Sequence, residues 1–154
     1  MQRIYFDMDG TIADLYGYNN WLDMLHAEDT KPYEDCEPLV NIDEFTQIIY
    51  ALSDAGFTFG IISWGAMDGS KEYCKRTRKA KIEWCEKYFP CIFAEYHVVK
   101  YGTPKHYVRK VDNSILVDDN AEVRKAWKGK TIDASNCEEM LKSLKKLLDI
   151  AKAA

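Results

Sequence analysis

Short apolar runs alternate with longer amphipathic segments along the chain, and most of the short runs end in acidic or small polar residues. Runs of this length are typical of buried strands. Five strands are predicted: RIYF (3–6), FTFGIIS (57–63), CIFAEY (91–96), SILVDD (114–119) and KTIDA (130–134). Because amphipathic segments separate them, the pattern is a β-α-β rhythm, which predicts a parallel sheet.

The longer segments predict helices that cover the sheet. The clearest is residues 41–56, where Asn41 is a capping residue, apolar residues recur at helical spacing and Gly56 is a stop signal. Further helices are predicted from about Ser70 to Tyr88, in TPKHYVRKV (103–111), in AEVRKAWKG (121–129) and from Cys137 to the C-terminus. We therefore predict a three-layer α/β fold, with a Rossmann-like parallel sheet and helices on both of its faces.

One segment departs from this rhythm. Residues 13–41 lie between the first strand and its helix, where a few connecting residues would normally be enough. The segment contains a predicted short helix and the aromatic residues Tyr16, Tyr18 and Trp21. These aromatics could form a small hydrophobic cluster, but an insertion after a strand end is also how lids are built. We predict a single domain, residues 1–154, that carries a small cap at residues 13–41.

Composition and charge narrow the class of protein. The chain has 154 residues, of which 47% are hydrophobic, as expected for an ordinary packed domain. Its formal charge of −4 argues against a dedicated nucleic-acid binder. The five cysteines are widely spaced without a C-x-x-C pair, which argues against a disulfide framework or a zinc site. With no signal peptide and no run long enough to span a membrane, we expect a cytoplasmic protein without a membrane partner.

Polar side chains end several of the predicted strands. Asp7 and Asp9 follow the first strand, Ser63 ends the second, and Asp118 and Asp119 end the fourth. Ligands bind at the carboxyl edge of such a sheet, where these residues would meet. Crowded carboxylates repel one another unless a cation lies among them, and hard oxygen ligands favour Mg²⁺ together with a substrate phosphate. The pattern therefore predicts a magnesium site and phosphoryl-transfer chemistry at an aspartate nucleophile.

Four motifs in this order resemble those of the haloacid dehalogenase-like hydrolases. DMDGT (7–11) matches their D-x-D-G-T signature, and IIS, ending at Ser63, resembles their second motif. A lysine after the third strand resembles the third motif, and VDDN (117–120) the paired acids of the fourth. The resemblance spans residues 5–119 and implies a phosphatase.

The resemblance also implies a role for each matching residue. Asp7 would attack phosphorus and form an aspartyl-phosphate, while Asp9 would protonate the leaving alcohol and then activate water. Mg²⁺ would be held by the Asp7 carboxylate, the backbone carbonyl of Asp9, and a carboxylate of Asp118 or Asp119.

Phosphate binding is assigned to residues near the ends of the strands. Gly10 would let the backbone approach the phosphate, Thr11 would shape the turn, and Ser63 would donate its hydroxyl proton, with Trp64 beside it. The lysine is Lys105 or Lys100. We favour Lys105, because it lies in the first turn of the helix after Thr103 and Pro104, where the lysine of the family that the chain resembles usually sits and where a cation is otherwise unfavourable.

These observations predict a magnesium-dependent phosphatase that acts on a small phosphomonoester. A nucleoside monophosphate is the favoured substrate, because Tyr16, Trp21 and Trp64 could stack on a base. One alternative is a polynucleotide 3′-phosphatase that uses the basic run CKRTRKAK (74–81), although such a run is usually a solvated helix face. The other alternative is a non-catalytic binding protein that retains the fold.

Overall fold

Five strands form one parallel sheet in residues 1–108 and 113–154, the parts of the chain that the computed structural model describes. The strands are β1 (Gln2–Phe6), β2 (Phe57–Trp64), β3 (Glu95–Val99), β4 (Ile115–Asp118) and β5 (Thr131–Asp133). Their order across the sheet is β3-β2-β1-β4-β5. The chain builds outward from β1 to one side and then to the other, so the order reverses between β1 and β4. In such sheets this reversal opens a crevice at the carboxyl edge.

Helices cover both faces of this sheet. They are α1 (Trp21–His26), α2 (Lys31–Asp35), α3 (Ile42–Asp54), α4 (Lys71–Tyr88), α5 (Lys105–Val108), α6 (Ala121–Ala126) and α7 (Cys137–Ala153). Within the described ranges, no helix combines the length and the apolar character needed to cross a membrane.

The two faces of β1 belong to different hydrophobic clusters, because successive side chains of a strand point to opposite sides. Ile4 and Phe6 pack with buried residues of α3, α4 and α7. Tyr5 packs on the other face with Ile62 and Trp127, beside partly buried residues of α5 and α6. The predicted α/β fold, a parallel Rossmann-like sheet between two helical layers, is confirmed.

Capping residues fix where the long helices start. The Asn41 side chain accepts a hydrogen bond from the backbone N–H of Glu44 at 3.0 Å, and Gly56 follows α3 with a φ of +94°. Ser70 accepts from the backbone N–H of Tyr73 at 3.1 Å and so caps α4. The helices predicted at these positions are confirmed, because their caps and apolar stripes agree.

The prediction of the third strand was wrong in position. The strand was expected at residues 91–96, but β3 runs from Glu95 to Val99 and pairs with β2 from Gly60 onward. Cys91 has a φ of +59°, which is incompatible with an extended strand, and Phe93 is buried in the core just after that turn. The apolar residues Ile92 and Phe93 therefore belong to a buried irregular segment before the strand, and Lys100 directly follows the strand.

The helix predicted in TPKHYVRKV is observed in its first half. It begins at Lys105, and the backbone N–H of Tyr107 donates to the Pro104 carbonyl at 3.0 Å. The rest of that predicted helix, from residue 109, lies outside the described residues.

Candidate active site

Three carboxylates meet where β1 and β4 end. Asp7 follows β1, Asp118 ends β4, and Asp119 comes next; one oxygen of each lies within 4.8 Å of an oxygen of the others. The backbone N–H of Asp7 donates to the Val117 carbonyl at 2.9 Å, so pairing of the two strands fixes this proximity. The sequence placed these residues at one sheet edge, and the structure brings them together there.

Lys105 supplies a cation to this acidic cluster. Its ammonium donates to Asp7 Oδ1 and to Asp118 Oδ2, both at 2.7 Å, and its side chain is 3% exposed. Burial alone would lower the pKa of this ammonium, but the two carboxylates outweigh burial and raise it. Lys100 is exposed at the end of β3. The geometry therefore favours Lys105 over Lys100 as the lysine of the site.

Asp119 retains an excess of negative charge around it. Burial, followed by the carboxylates of Asp7 and Asp118, raises its pKa to about 7. Its Oδ1 accepts a hydrogen bond from the Thr11 hydroxyl at 3.2 Å. Asp118 is better compensated, because it accepts from Lys105 and also from the backbone N–H of Asn120 at 2.9 Å. The donor set of three carboxylates and this uncompensated charge fit a small hard cation such as Mg²⁺.

The loop after β1 is a tight turn that needs glycine. Gly10 has a φ of +79°, and a Cβ atom there would lie 2.6 Å from Asp119 Oδ2 and 2.9 Å from the Tyr16 ring. The Gly10 and Thr11 amides donate to the carbonyls of Ala13 and Met8. Both residues thus shape the turn, and the absence of a side chain at Gly10 lets the Asp119 carboxylate approach the loop.

Asp9 has a cation of its own. Its Oδ2 accepts a hydrogen bond from the ammonium of Lys81 at 2.6 Å. The same ammonium donates to the Ser63 hydroxyl at 2.9 Å and to the Trp64 carbonyl at 2.7 Å, and lies 4.7 Å from the centre of the Tyr33 ring. The Asp9 carboxylate is therefore part of a separate polar cluster beside the three acids.

Lys81 was missed at the sequence level, where the basic run was interpreted as a solvated face. Lys75 and Lys79 of that run are exposed, but the Lys81 side chain is completely buried. Helical spacing is the sequence signal that indicates burial of Lys81. Lys81 lies four residues after Thr77 and three before Trp84, on the buried stripe of α4.

The environment of Asp9 suits an acid–base group. Burial raises the pKa of its carboxyl, and the charge of Asp7 adds to this effect, whereas the Lys81 ammonium opposes it. The pKa is raised overall. A raised pKa favours the protonated carboxyl, which is the form that a general acid uses.

A cavity of about 350 Å³ opens beside these residues. Its walls are mostly aromatic and aliphatic, and the acids and Lys105 lie in its polar part. Trp64 and Tyr101 form one wall, with ring centres 5.1 Å apart, and the Trp64 indole N–H donates to the Thr103 carbonyl at 2.8 Å. Residues of the inserted segment (residues 13–41) form another part of the lining: Leu15, Tyr16, Trp21, Leu22, Leu25, His26 and Tyr33.

The inserted segment is fastened to α4. The Ser70 hydroxyl donates to Glu28 Oε1 at 2.5 Å, and the Tyr73 hydroxyl donates to the Asp29 carbonyl at 2.8 Å. Further along, the Trp84 indole N–H donates to the Cys36 carbonyl at 2.8 Å. These contacts hold the segment in place as a wall of the cavity.

The sequence matches no family model and no curated protein. The function must therefore be inferred from the site itself. The site combines a carboxylate trio, a buried lysine on two of its members, and a fourth carboxylate held separately beside a cavity. This arrangement can bind a cation, neutralise an anionic substrate and transfer a proton.

Proposed function

We propose that the protein is a phosphatase of small phosphomonoesters, a member of the haloacid dehalogenase-like hydrolases that works through an aspartyl-phosphate. The observation that carries the proposal is the position of Lys105, which bridges Asp7 and Asp118 beside the cavity. A buried ammonium at that point can neutralise phosphoryl oxygens next to a carboxylate nucleophile. Positioning and charge neutralisation are what phosphoryl transfer chiefly needs.

The first step transfers the phosphoryl group to the protein. An Asp7 carboxylate oxygen attacks phosphorus, and the bond from phosphorus to the leaving oxygen breaks. Asp9 gives its proton to that oxygen, so the leaving group departs as an alcohol. Lys105 compensates the negative charge of the phosphoryl oxygens, and the Ser63 hydroxyl is a further donor at the end of β2.

The second step returns the protein to its starting state. Asp9, now a carboxylate, takes a proton from water while the water oxygen attacks phosphorus. The bond from phosphorus to Asp7 breaks, and inorganic phosphate leaves. Asp9 is protonated again at the end of the cycle, so one residue serves both steps.

Mg²⁺ is the proposed cofactor. Asp7, a carboxylate of Asp118 or Asp119, and the backbone carbonyl of Asp9 would hold it. When bound, it would neutralise the substrate phosphate and the charge that develops during transfer. The carboxylate oxygens within 4.8 Å of one another and the raised pKa of Asp119 support this assignment.

We expect hydrolysis of 4-nitrophenyl phosphate to depend on Mg²⁺. Dialysis against EDTA should lower the rate at least about 100-fold, because the substrate charge would lose its main counterion. Mg²⁺ should restore the rate and raise the melting temperature, since an ion that binds only the native state stabilises it. Ca²⁺ should restore little, because it takes more ligands at longer distances. Full activity in EDTA would contradict the assignment of a metal.

The cavity favours one phosphate and an uncharged, flat leaving group. Among the described residues that line it, Lys105 is the one lysine or arginine. The lining offers two aromatic pairs, Trp64 with Tyr101 and Tyr16 with Trp21. We therefore propose a nucleoside monophosphate as the substrate class, and we propose that the inserted segment acts as a small cap over it.

We expect nucleoside monophosphates to be better substrates than sugar phosphates. Tyr101→Ala should raise KM for a nucleoside monophosphate about 10-fold, because base stacking on an aromatic ring contributes on the order of 1–3 kcal/mol. Tyr101→Phe keeps the ring and should change KM little. Tyr107→Ala, which removes an exposed ring outside the cavity lining, is the matched control. Turnover of sugar phosphates without turnover of nucleoside monophosphates would contradict this substrate class.

The same substrate panel distinguishes the alternatives. Exposed basic residues Lys75, Arg78 and Lys79 border a shallow groove on α4. Activity confined to 3′-phosphorylated oligonucleotides, with a steep loss in salt, would favour a polynucleotide phosphatase that uses this groove. Binding of phosphorylated compounds without hydrolysis of any of them would favour a non-catalytic protein.

A further inference from the structure

Every N–H donor of the Lys81 ammonium makes a hydrogen bond. A lysine has three N–H donors, and those of Lys81 meet Asp9, Ser63 and Trp64 at 2.6–2.9 Å. Its side chain has no exposure to solvent. The ammonium therefore links Asp9, which follows β1, to Ser63 and Trp64 at the end of β2.

We infer that Lys81 is a positioning residue that holds Asp9 and Ser63 in the orientations that phosphoryl transfer needs. The inference rests on the proposed phosphatase function. Lys81 lies outside the four motifs by which the chain resembles the family. It makes its contacts from the buried stripe of α4.

The contact with Lys81 determines which carboxyl oxygen of Asp9 can take part in proton transfer. Oδ2 is engaged by Lys81, and the Asp9 side chain also lines the cavity. Oδ1 is then the oxygen that exchanges a proton with the leaving group. Without Lys81, the carboxyl could rotate about its side-chain bonds, and a displacement of about 1 Å is enough to lose much of a proton-transfer rate.

For Ser63, the contact orients the hydroxyl proton. The Ser63 oxygen accepts from Lys81 at 2.9 Å, so its own O–H must point away from the ammonium. Ser63 is also completely buried, which restricts the other partners that it can reach. An O–H turned away from Lys81 remains available as a donor, and in the proposed reaction it would donate to a phosphate oxygen.

Packing alone does not account for a lysine at this position. Burial of an ammonium is costly, and buried ion pairs are often no more stabilising than apolar residues of the same size. The neighbours of Lys81 on the buried stripe, Ala80 and Trp84, are apolar and packed in hydrophobic clusters. Lys81 contacts Asp9 rather than the acid trio that Lys105 already compensates.

The test uses the difference between good and poor leaving groups. 4-Nitrophenolate leaves without a proton, whereas an alkoxide needs the proton from Asp9. In Lys81→Met, we expect kcat/KM for a simple alkyl phosphate to fall at least about 100-fold. For 4-nitrophenyl phosphate, kcat/KM should fall less than about 10-fold, because it reports the first transfer step. Hydrolysis of the aspartyl-phosphate still needs Asp9, so this substrate should show a burst and an accumulating phosphoenzyme.

Two controls separate positioning from folding. Lys79→Met changes a lysine on the exposed face of the same helix and should leave both substrates unaffected. The double variant Asp9→Asn/Lys81→Met should hydrolyse the alkyl phosphate no more than about 3-fold slower than Asp9→Asn, because Lys81 acts mainly through Asp9. Lys81→Gln, which keeps two donors, should recover part of the lost rate.

Several outcomes would overturn the inference. Equal losses on both substrates without a burst, or additive losses in the double variant, would give Lys81 no role through Asp9. Failure of both Lys81 variants to fold, with Asp9→Asn folded, would assign Lys81 to stability instead. A wild-type protein that hydrolyses neither substrate would refute the proposed function itself, and a phosphatase that Asp7→Asn leaves fully active would refute its nucleophile.

Discussion

Asp7→Asn is expected to lose at least about 10³-fold of the rate of 4-nitrophenyl phosphate hydrolysis, because an amide oxygen cannot form the aspartyl-phosphate. The substitution is nearly isosteric, and the amide oxygen can still accept the hydrogen bond that Lys105 gives to Asp7 Oδ1. It also removes one of the like charges that raise the pKa of Asp119. The fold should therefore survive, with a melting temperature within a few degrees of the wild type.

Steady-state rates and acid-quench trapping of the phosphoenzyme measure this effect. Wild-type protein should carry phosphate that is labile in hydroxylamine, as an acyl phosphate is, and Asp7→Asn should carry none. Asp149→Asn, on the exposed side of α7, is the matched control and should behave as wild type. A folded Asp7→Asn variant with unchanged turnover would remove Asp7 from the role of nucleophile.

Lys105→Met is expected to lower hydrolysis at least about 100-fold, because the phosphoryl charge would lose a buried counterion. Lys100→Met should change the rate less than about 3-fold, since Lys100 is exposed at a strand end. The two variants make the same chemical change five positions apart. A comparison of the two variants therefore shows how the position of the lost charge affects the rate.

Stability provides a second measurement for this pair. Lys105 contacts Asp7 and Asp118 in a buried site, and removing one member of a buried ion pair typically costs about 3–5 kcal/mol. Lys105→Met should therefore lower the denaturant midpoint, and Mg²⁺ should recover part of that loss by binding the carboxylates that have lost their ammonium partner. A larger activity loss in Lys100→Met than in Lys105→Met would transfer the role to Lys100.

Local signals and topology together made much of the fold predictable. Asn41 and Ser70 are capping residues that mark the starts of α3 and α4. The apolar stripes of both helices have the period of a helix. The meeting of Asp7 with Asp118 could be foreseen because parallel strands end at one edge. Residues at the carboxyl end of a strand could therefore be assigned to the site without knowledge of any tertiary contact.

Features that depend on tertiary packing could not be predicted in this way. Ile92 and Phe93 have the apolar character of a strand, but they are buried in an irregular segment, and β3 begins further toward the C-terminus. The choice between Lys100 and Lys105 depended on where that strand ended. Lys81 was judged by its charge among other charged residues, whereas its position on the buried stripe of α4 decides its environment.

One consequence of α4 concerns the redesign of specificity. Ser70 and Tyr73 hold the inserted segment at the start of this helix, and Lys81 holds Asp9 from its middle. An engineer who widened the cavity by tilting α4 would therefore also disturb the acid–base carboxyl. The exposed ring of Tyr101 also lines the cavity, but it belongs to the loop after β3 and not to α4 or the inserted segment. Libraries aimed at new leaving groups should start from Tyr101, whose side chain can change shape while the proton-transfer geometry is retained.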